Sequence, residues 1–246
     1  MTDGPQLVHI VRGLKHKPLK SETFYRRYQR IFDELAMDDP VIVELGVYRG
    51  HSLRVWKEAY PRSTVIGFDR TAPEVLPGDG IEFVQGSQDS PEDLRNVLQF
   101  ADHIDIVIDD CSHIASLTRV AFETLFDHVR PGGFYVIEDW GTGYWPTFHD
   151  GELPTTENHL AGMVGLVKEL VDGVGIPALH RLQNPPDIHE GNWSARNSPY
   201  ESVAFYPGIV AIKKAAAIGE PMPAPLHSLA PTPGAQMIDL KPDTCS

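Results

Sequence analysis

The chain has 246 residues and a formal net charge of −13 at pH 7. This length suits one α/β domain with extensions, and the negative charge argues against nucleic acid or an anionic membrane as a partner, since both attract basic proteins. No apolar run is long enough for a bilayer span, and the N-terminus lacks the apolar core of a signal peptide. The two cysteines, Cys111 and Cys245, do not suggest a disulfide framework. We therefore expect a cytoplasmic protein.

The first predicted element is an amphipathic helix over residues 22–36, whose apolar side chains recur at helical spacing. From residue 41 onward, short strands rich in Val and Ile alternate with helices, a pattern typical of a parallel, doubly wound sheet. The predicted strands are 41–44, 64–68, 81–84, 104–108, 134–137, 202–206 and 209–213. The predicted helices among them are 51–60, a segment that begins at Pro91 after the N-cap Ser90, 116–130 and 160–171.

The last two predicted strands are joined by Pro207-Gly208, which predicts an antiparallel hairpin at one edge. The fold class is therefore α/β, a Rossmann-like, doubly wound, mostly parallel seven-stranded sheet with an antiparallel edge hairpin. We expect an N-terminal helical cap over 1–38, this domain over 39–216 and a Pro-rich C-terminal tail over 217–246. The long loops 145–154 and 184–200 are expected near the site, because loops of such length usually serve a function.

The first strand leads into a glycine turn, Glu44-Leu-Gly-Val-Tyr-Arg-Gly50. Gly46 and Gly50 allow a tight turn and a close approach to a ligand, but their spacing is not the G-x-G-x-x-G of dinucleotide binders. Glu44 would repel a pyrophosphate and favour a cationic ligand. Asp69 ends the second strand, where Rossmann-like folds place the acceptor for a ribose diol. Together these features favour S-adenosylmethionine over NAD as the cofactor.

Two later strands end abruptly in carboxylates, Asp109-Asp110 and Glu138-Asp139. Because ligands of open α/β sheets bind beyond the carboxyl ends of strands, these four acids should meet at one edge. They repel one another unless a cation lies among them, and this many oxygen ligands suits Mg²⁺. We assign Asp110, Glu138 and Asp139 to the metal and Asp109 to the cofactor, since adjacent strand residues point opposite ways. The alternative is that these acids are merely the polar ends of strands.

These motifs resemble those of class I S-adenosylmethionine methyltransferases, and more narrowly of the metal-dependent sugar O-methyltransferases of macrolide biosynthesis (the mycinamicin and tylosin type). The matching segments lie between residues 23 and 146: Val43-Glu-Leu-Gly46, Ser52-Leu-Arg-Val-Trp56, Phe83-Val-Gln-Gly86, Ile106-Val-Ile-Asp-Asp110 with Ser112-His113, Leu125-Phe-Asp-His-Val-Arg-Pro-Gly-Gly133, Tyr135-Val-Ile-Glu-Asp139 and Tyr144-Trp-Pro146. The chain departs from the family at Cys111, where glycine is usual, and at Tyr48-Arg49, where small residues are usual. Both departures bear on pocket shape and leave the proposed ligands in place.

The resemblance implies an O-methyltransferase that uses S-adenosylmethionine and Mg²⁺ to methylate a sugar hydroxyl. The sugar would be a macrolide deoxysugar, or mannose or rhamnose of an actinobacterial polysaccharide or glycolipid. The cation would hold two neighbouring sugar hydroxyls and His113 would be the general base, although His113 could alternatively only cap a helix. The other assigned residues are Tyr48, Ser52, Ser87 and Gln88 for the cofactor and Tyr144, Trp145 and His149 for the acceptor, with plain packing of a lid as the alternative for the aromatic residues.

Two other functions stay open from the sequence. A catechol-type small-molecule O-methyltransferase would use the same metal chemistry on a flat diol, and a non-catalytic S-adenosylmethionine-binding protein would bind the cofactor without turnover. An NAD-dependent oxidoreductase would need a pyrophosphate turn, which is missing here. We expect a sugar acceptor as the partner, and a homodimer is compatible with the sequence although no pattern specifies it.

Overall fold

A computed structural model of the chain describes residues 6–15, 18–73, 80–152, 162–175 and 199–215. Its strands are β1 (Val41–Leu45), β2 (Thr64–Asp69), β3 (Ile81–Gln85), β4 (Ile104–Asp109), β5 (Val129–Glu138), β6 (Tyr200–Tyr206) and β7 (Ile209–Lys214). They form one seven-stranded sheet in the order β3-β2-β1-β4-β5-β7-β6. The first five strands are parallel, and β7 and β6 form an antiparallel hairpin at one edge. The predicted Rossmann-like architecture is confirmed.

Helices cover both faces of the sheet, which explains why its parallel strands are continuous apolar runs. The α-helices are α1 (Leu7–Gly13), α2 (Glu22–Leu35), α3 (His51–Ala59), α4 (Pro91–Arg95), α5 (Ala115–Leu125) and α6 (Gly162–Gly175). Helices α1, α2 and α3 pack on one face, and α4, α5 and α6 pack on the other. Among the described residues, we find no helix with the length and hydropathy needed to span a membrane.

The N-terminal helices share a hydrophobic core with the sheet. Trp56 of α3 packs against Tyr28 and Phe32 of α2, with ring centroids 5.0 and 5.5 Å apart, and Leu7 of α1 is buried in the same cluster. The sequence pattern does not indicate α1, because seven residues are too few to show a clear helical period. The cap over 1–38 and the domain over 39–216 stay predictions, and the tail over 217–246 lies outside the described residues.

The helix predicted over 116–130 is wrong at its C-terminal end. Helix α5 stops at Leu125, a 3₁₀ turn follows over Phe126–His128, and residues 129–133 are the start of β5. Val129 pairs with Ile104 of β4, and Arg130 forms an ion pair with the buried carboxylate of Asp105. These long-range contacts draw the segment into the sheet, and helical periodicity alone cannot reveal them. The other predicted strands agree with the observed ones to within two residues.

The strand order reverses between β1 and β4. In an open α/β sheet, ligands bind in the crevice outside the carboxyl ends of the strands at such a switch point. The glycine turn after β1 and the acidic ends of β4 and β5 therefore all lie at this edge.

Candidate active site

Asp69, at the end of β2, organises the turn between β1 and α3. Its Oδ2 accepts the backbone N–H groups of Val47 and Tyr48 at 3.0 and 3.1 Å. Its Oδ1 accepts one bond, from the backbone N–H of Thr71 at 3.0 Å. A carboxylate oxygen can accept two hydrogen bonds, so Oδ1 keeps capacity for a donor from a ligand. The predicted ribose contact of Asp69 is compatible with this geometry and stays a prediction.

Gly46 brings the backbone of the first turn against the residues that follow β4. Its φ of +81° is in the left-handed region, and a β-carbon there would lie 2.5 Å from Cα of Cys111 and 2.7 Å from the carbonyl carbon of Asp110. Only glycine adopts this backbone angle without strain. Any side chain here would also collide with backbone atoms, which cannot move aside by changing rotamer.

Gly46→Ala is therefore expected to lower the free energy of unfolding by about 2 kcal/mol or more, since left-handed alanine alone costs roughly 1–2 kcal/mol. Gly141→Ala is the matched control, because no atom lies within 4 Å of a β-carbon placed there. We expect the control to change stability by less than about 0.5 kcal/mol. Urea unfolding of both variants measures the difference, and equal stability would contradict the close approach at Gly46.

Gln88, just after β3, and Asp109, at the end of β4, form a buried pair. Gln88 Nε2 donates to Asp109 Oδ1 at 2.9 Å, and the hydroxyl of Tyr135 donates to Asp109 Oδ2 at 3.0 Å. Burial raises the pKa of Asp109 to about 7, and hydrogen bonds, chiefly that from Tyr135, limit the rise. Gln88 Oε1 is buried and has no hydrogen-bond partner within the described part of the chain. An unpaired buried acceptor is costly, so this atom is suited to a donor from a ligand.

The other residues predicted to bind the cofactor lie along the same turns. Tyr48 is exposed on the glycine turn, with the guanidinium of Arg49 over its ring. Gly50 immediately precedes α3, and Ser52 is buried in the first turn of that helix. The backbone N–H of Ser87 donates to Asp93 Oδ2 at 2.9 Å. Their contacts to a cofactor stay predictions.

Cys111 lies close to three acidic residues, Asp109, Asp69 and Asp110. Burial raises the pKa of its thiol to about 12, and the charges of Asp109, Asp69 and Asp110 add to this rise. A thiol in such surroundings is a poor nucleophile, because the thiolate is the reactive form. Cys111 therefore serves as a small side chain between the glycine turn and the acidic strand ends.

Asp110, His113 and Asp139 meet beyond the carboxyl ends of β4 and β5. One ligand atom from each lies within 4.8 Å of the other two. His113 Nε2 is 3.9 Å from both Asp110 Oδ1 and Asp139 Oδ2. The side chain of Asp139 is 49% exposed, so the group opens to solvent on that side. Two carboxylates and an imidazole form a donor set that a divalent cation can use.

The backbone at two of these three positions is unusual. His113 and Asp139 have φ values of 55° and 50°, in the left-handed region. The edge hairpin holds Asp139, whose backbone N–H donates to the carbonyl of Gly208 at 2.7 Å. Residues other than glycine that adopt this conformation are uncommon and cluster at functional sites.

Glu138, the remaining residue assigned to the metal, lies on the buried side of the cluster. It is 2% exposed, its Oε1 accepts the hydroxyl of Tyr28 at 2.6 Å, and the same oxygen is 3.1 Å from Nζ of Lys20. Burial raises the pKa of Glu138, and the ammonium of Lys20 opposes the rise. The structure thus brings His113 into the group with Asp110 and Asp139 and places Glu138 behind it; the metal assignment of Glu138 stays a prediction.

The sequence reasoning missed Lys20, which also contacts Glu44 at 3.0 Å and Asp110. Burial disfavours its charged form, but Glu138, Glu44 and Asp110 outweigh this and hold the pKa of Lys20 well above its ordinary value. Glu44 also accepts Trp56 Nε1 at 2.8 Å, so its side chain faces α2 and α3, and its predicted cofactor contact stays a prediction. No local pattern marks Lys20, since it precedes Glu44 by 24 residues and Asp110 by 90.

The loop that follows β5 carries the residues assigned to the acceptor. Tyr144 is half-buried and packs edge-on against Trp140, while Trp145 is 58% exposed and His149 is exposed. The ring of Phe148 in the same loop lies 6.2 Å from that of His113. The loop therefore borders the acidic cluster, and the acceptor contacts of Tyr144, Trp145 and His149 stay predictions.

No family model matches the chain. It is 37% identical over 158 residues to mycinamicin VI 2''-O-methyltransferase of Micromonospora griseorubida, which covers 61% of this chain and 39% of the relative. It is 35% identical over 175 residues to 8-demethyl-8-(2-methoxy-alpha-L-rhamnosyl)-tetracenomycin-C 3'-O-methyltransferase of Streptomyces olivaceus, which covers 68% of this chain and 41% of the relative. The chain thus spans about two fifths of the length of these curated relatives.

Among solved structures, the chain is similar to the MycE methyltransferase from the mycinamycin biosynthetic pathway in complex with Mg, SAH and mycinamycin VI. The TM-score is 0.67 at 28% sequence identity, and the match covers 90% of this chain and 57% of that chain.

Proposed function

We propose that this chain methylates a sugar hydroxyl with the aid of a divalent ion. The chain has the class I S-adenosylmethionine methyltransferase fold. It is homologous to sugar O-methyltransferases of macrolide and tetracenomycin pathways. The observation that carries the proposal is the position of Asp110. Its backbone lies against Gly46 in the glycine turn, and its side chain faces His113 and Asp139. A methyl donor in the turn and a hydroxyl at the acidic cluster would therefore be neighbours.

The cofactor side of the crevice fits S-adenosylmethionine. Asp69 Oδ1 would accept a ribose hydroxyl, and the unpaired Gln88 Oε1 would accept the amino group of adenine. Asp109 holds Gln88 in place through its amide nitrogen. The absence of a side chain at Gly46 lets the glycine turn lie directly against the backbone of Asp110 and Cys111. The cofactor supplies an electrophilic methyl group on a sulfonium, so the protein's main task is alignment.

The acidic side fits a divalent ion such as Mg²⁺, the ion of the similar MycE structure. Asp110 and Asp139 would hold it on the exposed side, and Glu138 would bind it from the buried side through Oε2, because Lys20 and Tyr28 contact Oε1. A bound ion supplies Lewis acidity, which eases deprotonation of a sugar hydroxyl. His113 would accept that proton at Nε2, the atom that faces both carboxylates. The loop with Tyr144, Trp145 and His149 would hold the sugar, a macrolide deoxysugar or a rhamnose or mannose unit.

The proposal is tested by calorimetric titration with S-adenosylhomocysteine, followed by transfer of a labelled methyl group to neutral glycosides and to a catechol in the presence of Mg²⁺. We expect binding of the cofactor product and methylation of at least one glycoside. Methylation of the catechol alone would favour the catechol-type alternative. Binding without any transfer would favour a non-catalytic binding protein.

Asp69→Ala is expected to weaken binding of S-adenosylhomocysteine by roughly 10–100-fold, since a hydrogen bond to a charged group is worth about 1.5–3 kcal/mol. Because Asp69 Oδ2 also holds the turn through Val47 and Tyr48, Asp69→Asn is measured in parallel; its amide oxygen can still accept both of those bonds. Asp38→Ala is the control, since its side chain is 82% exposed and pairs with Arg62 at the surface. An affinity of Asp69→Ala equal to that of the control would place the ribose elsewhere.

A further inference from the structure

A buried lysine lies inside the acidic cluster, in the connection between α1 and α2. The side chain of Lys20 is 9% exposed, and its Nζ lies 3.0 Å from Glu44 Oε1, 3.1 Å from Glu138 Oε1 and in contact with Asp110 Oδ2. An ammonium has three N–H donors, and Lys20 directs them among three carboxylates. One buried ammonium thus contacts three carboxylates, whereas the ion pairs at the surface are exposed to solvent.

The carboxylates on the buried side are held in place independently of Lys20. Glu44 Oε2 accepts Trp56 Nε1 at 2.8 Å, and Glu138 Oε1 accepts the hydroxyl of Tyr28 at 2.6 Å. Glu44 and Glu138 are 0% and 2% exposed. They cannot turn away to solvent, and a positive charge beside them offsets the cost of burying them in the charged form.

Asp110 divides the cluster into two halves. Its Oδ2 contacts Lys20, while its Oδ1 faces His113 at 3.9 Å. We call Glu44, Glu138 Oε1 and Asp110 Oδ2 the buried half, and Asp110 Oδ1, His113 and Asp139 the exposed half. A carboxylate that bridges two positive charges is the arrangement found in two-metal sites. Here Lys20 supplies one positive charge, and the divalent ion of the proposed function would supply the other.

A second observation marks the buried half as a place for a cation. The hydroxyl of Tyr25 is buried and has no hydrogen-bond partner among the described residues. It lies near enough to Lys20, Glu44 and Glu138 for their charges to act on it. The buried half thus offers carboxylate oxygens from Glu44, Glu138 and Asp110, a set of hard oxygen donors, and the unpaired hydroxyl of Tyr25 lies within range of their charges.

We propose that Lys20 is a positioning residue that serves as a built-in second cation. Its ammonium occupies the buried half, where a divalent ion would otherwise bind, and so limits the cluster to one divalent ion in the exposed half. The proposal rests on the proposed function in that the exposed half is taken to hold a metal. Because the ammonium is tethered, Asp110 and Glu138 are held in position before any metal arrives.

The test is the number of Mn²⁺ ions bound per chain, measured with Mn²⁺ alone by equilibrium dialysis and elemental analysis of the full chain. The wild type is expected to bind about one ion and Lys20→Met about two. Lys20→Arg keeps the charge and is expected to bind about one. Lys213→Met is the matched control, because Lys213 also joins two carboxylates, Glu34 and Glu201, but at the surface. No more ions in Lys20→Met than in the wild type, or two ions in Lys20→Arg, would overturn the proposal.

Thermal unfolding with and without Mn²⁺ gives a second readout. Without metal, Lys20→Met should melt below the wild type, and Mn²⁺ should raise its melting temperature more than that of the wild type. An equal rise in both would overturn the proposal. If Lys20→Met does not fold in either condition, the double variant Lys20→Gln/Glu44→Gln removes one positive and one negative charge, and it is still expected to bind the second ion at Glu138 and Asp110. Failure of the folded double variant to do so would also overturn it.

The same titrations separate this proposal from the proposed function. One ion in both wild type and Lys20→Met rejects the role of Lys20 and leaves a metal in the exposed half. No ion in the wild type and one in Lys20→Met supports the role of Lys20 and contradicts a metal-dependent reaction.

Discussion

Methyl transfer is expected to fall below detection in excess EDTA and to return when Mg²⁺ is added back. Asp110, Glu138 and Asp139 crowd at the ends of two strands, and in the described structure Lys20 is the one lysine or arginine paired with any of the three. The exposed half therefore keeps an uncompensated negative charge next to the hydroxyl that must lose its proton, and that charge opposes deprotonation unless a divalent ion offsets it. The measurement is transfer of labelled methyl to the accepted glycoside. Full turnover in EDTA would contradict the metal-dependent reaction.

A single substitution in the exposed half should weaken the binding of the divalent ion. Asp139→Asn is the sharpest choice, because Asp139 belongs to the exposed half and does not contact Lys20. Asparagine also tolerates the left-handed backbone of this position. Asp38→Asn, a surface change, is the control. Asp139→Asn should need a higher Mg²⁺ concentration for half-maximal activity than the control does.

His113→Ala is expected to lower turnover by ~10²–10⁴-fold, the usual contribution of a general base. His113 Nε2 faces both carboxylates of the exposed half, at 3.9 Å from each. Metal and cofactor should still bind, and the residual rate should rise with pH as hydroxide from solvent takes over the role of the base. Turnover measured as a function of pH gives the loss and its pH dependence. Titrations with metal and with cofactor show whether both still bind.

The left-handed φ of His113 calls for a second variant, because alanine is strained in that conformation. His113→Asn removes the imidazole without this strain and should show the same loss of turnover. Loss of Mg²⁺ binding in both variants would make His113 a metal ligand, in keeping with its place beside Asp110 and Asp139. Unchanged turnover in both would leave His113 the structural role of a residue before α5.

The arrangement of the four acids Asp109, Asp110, Glu138 and Asp139 is only partly predictable from the sequence. Their convergence at one sheet edge follows from strand ends and parallel topology, and the need for a cation follows from their charge. The structure separates them by environment. Asp109 is buried with Gln88 and Tyr135, Glu138 is buried with Tyr28 and Lys20, and Asp110 and Asp139 face His113.

The sequence by itself determined the order and type of most strands and helices, the glycine turn and the acidic strand ends. These features arise from local properties: side-chain period, the backbone freedom of glycine and the apolar content of doubly covered strands. Only the tertiary structure decided that residues 129–133 join a strand, that α1 packs on the sheet and that Lys20 lies among Glu44, Asp110 and Glu138. Each of these depends on contacts between residues far apart in the chain. A buried carboxylate, an unpaired strand or an apolar helix face requires a partner, but its own neighbours in sequence do not specify which one.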